Sequence, residues 1–317
     1  MSRTRILATA SVAFAFTMVA CADPASTAAT RAPADASANR AGLEAGVHRQ
    51  YGTPTKLGNG MIRTYIVLDE KNDRRPLEVG VAMSEQSLEG LPGAAATTES
   101  MKGMKGHDHS PSNTNVFLLD LPAQNPTPYK FVQFDWNPNG HEPDSVYTYP
   151  HFDFHFYTVP VEVRNSIVPS VQGYAQMAAN KPAQQYWYPF HFDAATLAGG
   201  IPDSAATVPL MGMHWLDVRS PELQKLAGNP GGYKQFTKTF IYGSWNGQFI
   251  FDEPMITRAY ILSKKAATDP QEVDEIIPVS TAQKYSPAGY YPNAYRITWD
   301  AQQKEYRIAL TQLSWKD

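Results

Sequence analysis

One stretch constrains this chain more than any other: Tyr149-Pro150-His151-Phe152-Asp153-Phe154-His155-Phe156-Tyr157. From His151 onward aromatic and polar side chains alternate. Only an extended strand, whose successive side chains point to opposite faces, gives each set a face of its own. Phe152, Phe154 and Phe156 are expected to enter a core, while His151, Asp153, His155 and Tyr157 share the other face. The fold therefore has to supply a sheet that takes phenylalanine on one side and accommodates imidazole and carboxylate on the other.

The rest of the chain reads the same way. Met61–Leu68, Pro76–Met83, Asn115–Leu121 and Tyr129–Trp136 are short runs of apolar and β-branched residues, separated by Gly, Pro, Asn and Asp. Phe240–Tyr242 and Gln248–Phe251 flank Asn246-Gly247, the strongest short hairpin signal, and Tyr295–Trp299 and Tyr306–Leu313 form a second pair across DAQQKE. Helix signals are few. Ser84–Pro92 suits one or two turns, Asp193–Gly199 a short turn, and SPELQKLAG a helix with Ser220 as cap, Pro221 at its first position and Gly228 as terminator. The expected class is all-β, a mainly antiparallel sandwich or barrel with a few short helices. The alternating long helices of a Rossmann or TIM architecture are missing.

The N-terminus carries Arg3 and Arg5 and then an apolar run, Ile6–Ala20, too short for a permanent membrane span. It ends in Met18-Val19-Ala20-Cys21, which resembles a bacterial lipobox with Met in place of the usual Leu. Residues 1–20 are expected to be a lipoprotein signal peptide and Cys21, the chain's single cysteine, the lipidated residue. Ordinary cleavage beside Ala20-Cys21-Ala22 is the alternative, and both predict export to the periplasm or cell envelope. Residues 21–46, rich in Ala, Ser, Thr and Pro, read as a tether. Residues 47–317 read as one β-rich domain with a mobile insert near 93–112. One cysteine excludes an internal disulfide and cysteine-based zinc sites. Losing Arg3 and Arg5 from 27 basic residues leaves 25 against 30 acidic ones, so no nucleic-acid partner is expected.

Imidazole and carboxylate on one strand face are the ligand types of zinc, iron, manganese and copper sites. Residues two apart on a strand are separated by roughly 6.6 Å and those four apart by roughly 13 Å. Asp153 with one histidine is thus an easier pair than His151 with His155, and other ligands must come from other segments. His141, His214 and Glu253 are the candidates, so a site for one divalent transition metal is expected to use some of His141, His151, Asp153, His155, His214 and Glu253. Glu142 and Tyr157 are candidate proton carriers should a bound metal activate water or dioxygen. Histidines among aromatics also serve as buried hydrogen-bonding groups, the structural alternative. A weaker metal loop, Met101, Met104, His107 and His109, lies in the insert. No G-x-S-x-G, Walker A, H-E-x-x-H or G-x-G-x-x-G motif is present.

The stretches LEVGVAMSEQSLEGLP (77–92), DWNPNGHEPDSVYTYPHFDFHFY (135–157), VPLMGMHWLD (208–217) and FIYGSWNGQFIFDEPMIT (240–257) resemble a bacterial family of uncharacterised exported proteins. Its domain, of unknown function, is named after a sigma-E-controlled protein of a thermophile. The resemblance implies a β-rich, exported protein and supplies no reaction. It also singles out the segments that hold His141, His151, His155, His214 and Glu253. The reading is an envelope lipoprotein anchored through Cys21 with a metal-binding β-domain. Its alternative is a module without metal, whose 17 Tyr, 14 Phe and 6 Trp line a small-molecule groove or a self-assembly surface.

Overall fold

The computed structural model describes residues 47–93, 114–143 and 145–317. Cys21, the tether and the loop with Met101, Met104, His107 and His109 lie outside the described residues. β1 (Val47–Tyr51), β2 (Thr55–Leu57), β3 (Gly60–Asp69) and β4 (Asn72–Ser84) open one sheet. The chain then crosses to a second, built from β5 (Asn115–Asp120), β6 (Phe131–Asn137), β7 (His151–Tyr157), β8 (His191–Asp193), β9 (Thr207–Val208), β10 (Gly212–Asp217), β11 (Lys238–Trp245) and β12 (Gln248–Thr257). It returns through β13 (Asp274–Pro278), β14 (Gly289–Tyr291), β15 (Ala294–Asp300), β16 (Glu305–Thr311) and β17 (Ser314–Lys316).

The first sheet runs β1-β3-β4-β16-β15-β13, with β2 beside β3. The second runs β5-β6-β7-β12-β11-β10-β8, with β9 beside β10, and β14 pairs with β17. All pairings are antiparallel. The two sheets pack as a sandwich, not a closed barrel. Between them lie Val79, Val81 and Met83 of β4 and Ile308 and Leu310 of β16, facing Phe134, Phe152, Phe154 and Phe156. Full burial of one such side chain contributes roughly 1.5–3 kcal/mol.

β7 alternates as its sequence demands, phenylalanines toward the other sheet. Its second face is not wet, however, for all seven residues of β7 are buried. The outer side of this sheet carries its own apolar layers. One joins Tyr157 and Phe251 to Ile167, Tyr174 and Ala178, and another joins Met255 and Ile241 to Tyr147 and Phe236. His151, Asp153 and His155 are thus sealed beneath a second cover.

Local signals explain most turns. Asn246 and Gly247 both have positive φ, 45° and 82°, the backbone a two-residue type I′ hairpin needs. SPELQKLAG departs from expectation. It makes only a 3₁₀ turn, Pro221–Leu223, and Ser220 makes no side-chain cap bond, although Gly228 does take a positive φ. Ser84–Pro92 gives one 3₁₀ turn, Glu85–Leu88, and Asp193 caps a short helix, Ala194–Ala198, by accepting from Thr196. The longest helix among the described residues, Arg258–Ala266, was not anticipated; Thr257 caps it directly after β12.

Candidate metal centre

The register of the second sheet assembles a polar belt on its outer face. β6 and β7 pair Asn137 with His151, Asp135 with Asp153 and Gln133 with His155. On β12, Phe251 pairs with Tyr157 and Met255 with Asp153, which leaves Glu253 level with His155. Farther along, His214 of β10 pairs with Gly243 of β11, itself opposite Phe251. Gly243 has no Cβ for a physical reason: one would lie 1.9–2.4 Å from the Phe251 ring. That ring packs edge-on against both His155 and His214, at 4.8 and 5.2 Å between centroids.

The six candidate ligands gather as two groups of three. His141, His151 and Asp153 form an outer group, and His155, His214 and Glu253 an inner one; within each, the ligand atoms all lie within 4.8 Å of one another. The separation of His151 from His155 along an unbent strand accounts for the division. In the outer group Asp153 Oδ1 lies 3.2 Å from His151 Nε2, and Oδ2 lies 3.5 Å from His141 Nε2. In the inner group Glu253 Oε1 lies 3.4 Å from His155 Nε2, and Oε2 lies 3.7 Å from His214 Nε2. Two donors bound to one tetrahedral ion at about 2.1 Å would lie about 3.4 Å apart. Most of the separations exceed the usual hydrogen-bond range and match that geometry.

The imidazoles are oriented for Nε2 to serve as ligand. His141, His151 and His214 place Nδ1 at 2.7, 2.6 and 3.2 Å from the backbone carbonyls of Glu142, Tyr149 and Gly212. A carbonyl only accepts, so Nδ1 carries a proton, and Nε2 is the ring atom left to face the carboxylate or an ion. His155 differs: its Nδ1 lies 3.5 Å from Asp135 Oδ2, a carboxylate placed behind a histidine as in carboxylate–histidine–metal arrangements. Asp135 is fixed in turn by Gln133 Nε2 at 2.7 Å, and Gln133 accepts from buried Arg164 at 2.8 Å. Asn137 donates to Asp153 Oδ2 at 2.7 Å.

Ten buried side-chain nitrogen and oxygen atoms among the described residues have no hydrogen-bond partner, and six belong to this belt. They are Asp135 Oδ1, His151 Nε2, Asp153 Oδ1, both ring nitrogens of His155, and Glu253 Oε2. Such atoms are rare because each costs about 1–3 kcal/mol. The charges tell the same story. Burial and the opposing Asp153 push Asp135 up to about 8. Burial, with Asp153 and Asp135 nearby, raises Glu253 well above its ordinary 4.5. Burial drives His155 down to about 3. Asp153 alone stays well below its ordinary value, since His151 and His141 outweigh its burial. The belt holds three carboxylates; Asp153 draws on His151 and His141, while buried Arg164 and His141 only partly offset the burial of Asp135.

The two candidate proton carriers fare differently. Tyr157 is completely buried, its hydroxyl donates to the Met211 carbonyl at 3.2 Å, and burial raises it well above 10. Its ring lies roughly parallel to that of His155, with centroids 6.0 Å apart. Glu142 sits beside His141 and holds its Nδ1 proton through its backbone carbonyl. Sequence reasoning missed Asp135, Gln133, Asn137 and Arg164. Gln133, Asp135 and Asn137 do alternate with Phe134 and Trp136, and that polar series was the available signal.

Residues 72–136, about a fifth of the chain, match the family model described as TTHB210-like, hypothetical protein TTHB210. The matched stretch runs from β4 through most of β6 and includes Gln133 and Asp135. No curated protein and no solved structure gives a match.

Proposed function

We propose that this protein is an exported envelope lipoprotein whose β-sandwich binds divalent transition-metal ions at the inner His155/His214/Glu253 group and the outer His141/His151/Asp153 group. The observation that carries the reading is a set of four buried ligand atoms without a hydrogen-bond partner, His151 Nε2, Asp153 Oδ1, His155 Nε2 and Glu253 Oε2, gathered on one sheet face. Two imidazoles and one carboxylate suit zinc or iron far better than magnesium or calcium, which take oxygen ligands. A bound cation would add positive charge beside Asp135 and Glu253, favour their ionised forms and displace a proton from Glu253. Three protein donors per ion leave a position for water or substrate, the condition for Lewis-acid chemistry. The groups differ in access, with side-chain exposure of 39 % for His141 and 16 % for His214, so the outer group is the one that exchanges with solution. Kinship with the sigma-E-controlled extracytoplasmic family belongs to this reading too. It rests on stretches 135–157, 208–217 and 240–257, which extend past the matched segment.

The test is elemental analysis of full-length protein purified without a histidine tag or chelator, beside His155→Ala/His214→Ala and His141→Ala/His151→Ala variants. Near-stoichiometric zinc or iron, reduced by each variant that keeps its parent circular dichroism, is expected. Absence of metal after incubation with zinc, iron, manganese and copper would refute the reading. Cys21→Ser tests the anchor: the variant should leave the membrane fraction, and unchanged membrane association would contradict lipidation.

A further inference from the structure

β12 carries a second buried carboxylate, Asp252, whose register partner on β7 is Phe156, so that it looks toward the sandwich interior while Glu253 looks outward. Asp252 is 3 % exposed, and its hydrogen-bond partner is the Tyr129 hydroxyl. Among the described residues it pairs with no cation. Yet it lines a cavity of about 220 Å³ together with Tyr186, Tyr188, Phe249, Tyr285 and Tyr291. The rings meet at steep angles and do not stack into a solid plug. Tyr188 lies at 84° to Phe249 with centroids 4.9 Å apart and at 81° to Tyr285 at 5.9 Å, and Tyr285 lies at 42° to Tyr291 at 4.5 Å. Lys284, itself exposed, is also in the lining.

Each feature asks for the same ligand chemistry. A buried carboxylate without a cation is costly, and a cation seated against it relieves that cost. Aromatic rings attract cations, and methylated ammonium groups are the ions such cages favour, because they surrender little hydration on entry. The cavity has room for about seven waters at ~30 Å³ each, which limits the occupant to a small molecule. A purely cationic ligand would meet Lys284, whereas a ligand with an acidic group at its other end would pair with it.

We infer that this cavity binds a small methylated ammonium compound bearing a carboxylate, a betaine-type zwitterion, with its ammonium against Asp252 and the tyrosine rings and its carboxylate toward Lys284. The inference is independent of metal binding, because Asp252 faces away from both histidine groups.

Calorimetric titration of the full-length protein with glycine betaine, choline and 3,3-dimethylbutyrate tests it. The last is a carbon isostere of betaine that keeps the carboxylate and lacks the cation. Betaine should bind, the isostere at least about tenfold more weakly, as expected for loss of a desolvated cation–π contact. Asp252→Asn and Tyr285→Leu should each weaken betaine by at least about tenfold. Lys284→Ala should weaken betaine while leaving choline as it was or tighter. No betaine binding up to tens of millimolar, equal binding of betaine and isostere, or folded variants with parent affinity would each overturn the inference. Should Asp252→Asn fail to fold, the isostere comparison and Tyr285→Leu still decide the matter.

Discussion

Replacing Asp135 by Asn should move stability and metal affinity in opposite directions. In chelator-treated protein Asp135 is pushed up to about 8 by burial and by Asp153, from an ordinary 3.8. Folding at pH 7 then forces a proton onto a group that is ionised in the unfolded chain. For an acid raised in the folded state this penalty is absent below about pH 4, grows with pH, and levels off near pH 8. Across the three or so pH units up to pH 7 it reaches at most about 4 kcal/mol. Asn accepts from Gln133 without that penalty, so the metal-free variant should be more stable than its parent at pH 7 and less so at pH 5. With metal present the reverse applies. The ion favours an ionised carboxylate behind His155, and removing such a partner costs about 10- to 100-fold in affinity, about 1.4–2.7 kcal/mol. Urea unfolding in chelator at pH 5 and 7 measures the first effect, and competition with a chromophoric zinc chelator the second. Unchanged zinc affinity, or a metal-free variant less stable than the parent at pH 7, would refute the reasoning.

Three further outcomes follow from the same geometry. Gly243→Ala drives a methyl into the Phe251 ring. It should cost about 1–3 kcal/mol in urea unfolding and weaken zinc binding, because Phe251 packs against His155 and His214; parent affinity would contradict this. Phe154→Ala empties a fully buried site beside Phe134, 5.2 Å away, and should cost about 3–5 kcal/mol with an unchanged denaturant slope. A loss below about 1 kcal/mol would show that the site collapses or was never packed. Glu275 accepts from Lys264 at 2.7 Å and Tyr260 at 2.5 Å and pairs with Lys238 at 3.2 Å. Its partial burial acts to raise it, but these partners hold it below its ordinary 4.5. Its contribution is therefore complete above that value and disappears as pH falls through the lower folded one. Glu275→Gln should be less stable than the parent at pH 7 and converge with it in acid; a difference constant between pH 7 and 3 would refute this.

What the sequence shows and what it hides divide along the range of the interactions. The alternation at 151–157 and the Asn246-Gly247 turn are local, and both survive in the fold because strand pleat and turn backbone depend on neighbours alone. The same alternation places His151, Asp153 and His155 on one face but is silent about what covers it. The burial of Tyr157 was likewise not legible there. Register is non-local: nothing in DWNPNG says that Asp135 will lie opposite Asp153, or that Glu253 will come level with His155. For that reason the sequence offered six candidates without dividing them, where the sheet builds two groups of three. Arg164 was invisible because it reaches the belt from outside it, donating to Gln133 from a helix of five residues, Val161–Asn165.

Anomalous diffraction at the zinc and iron absorption edges, from crystals of protein grown without chelator, tests the central claim most directly. The account predicts a peak between His155 Nε2, His214 Nε2 and Glu253 and a second, of lower occupancy, between His141 Nε2, His151 Nε2 and Asp153. No anomalous density at either group in crystals soaked with both metals would contradict it, and the histidines would then be buried structural groups.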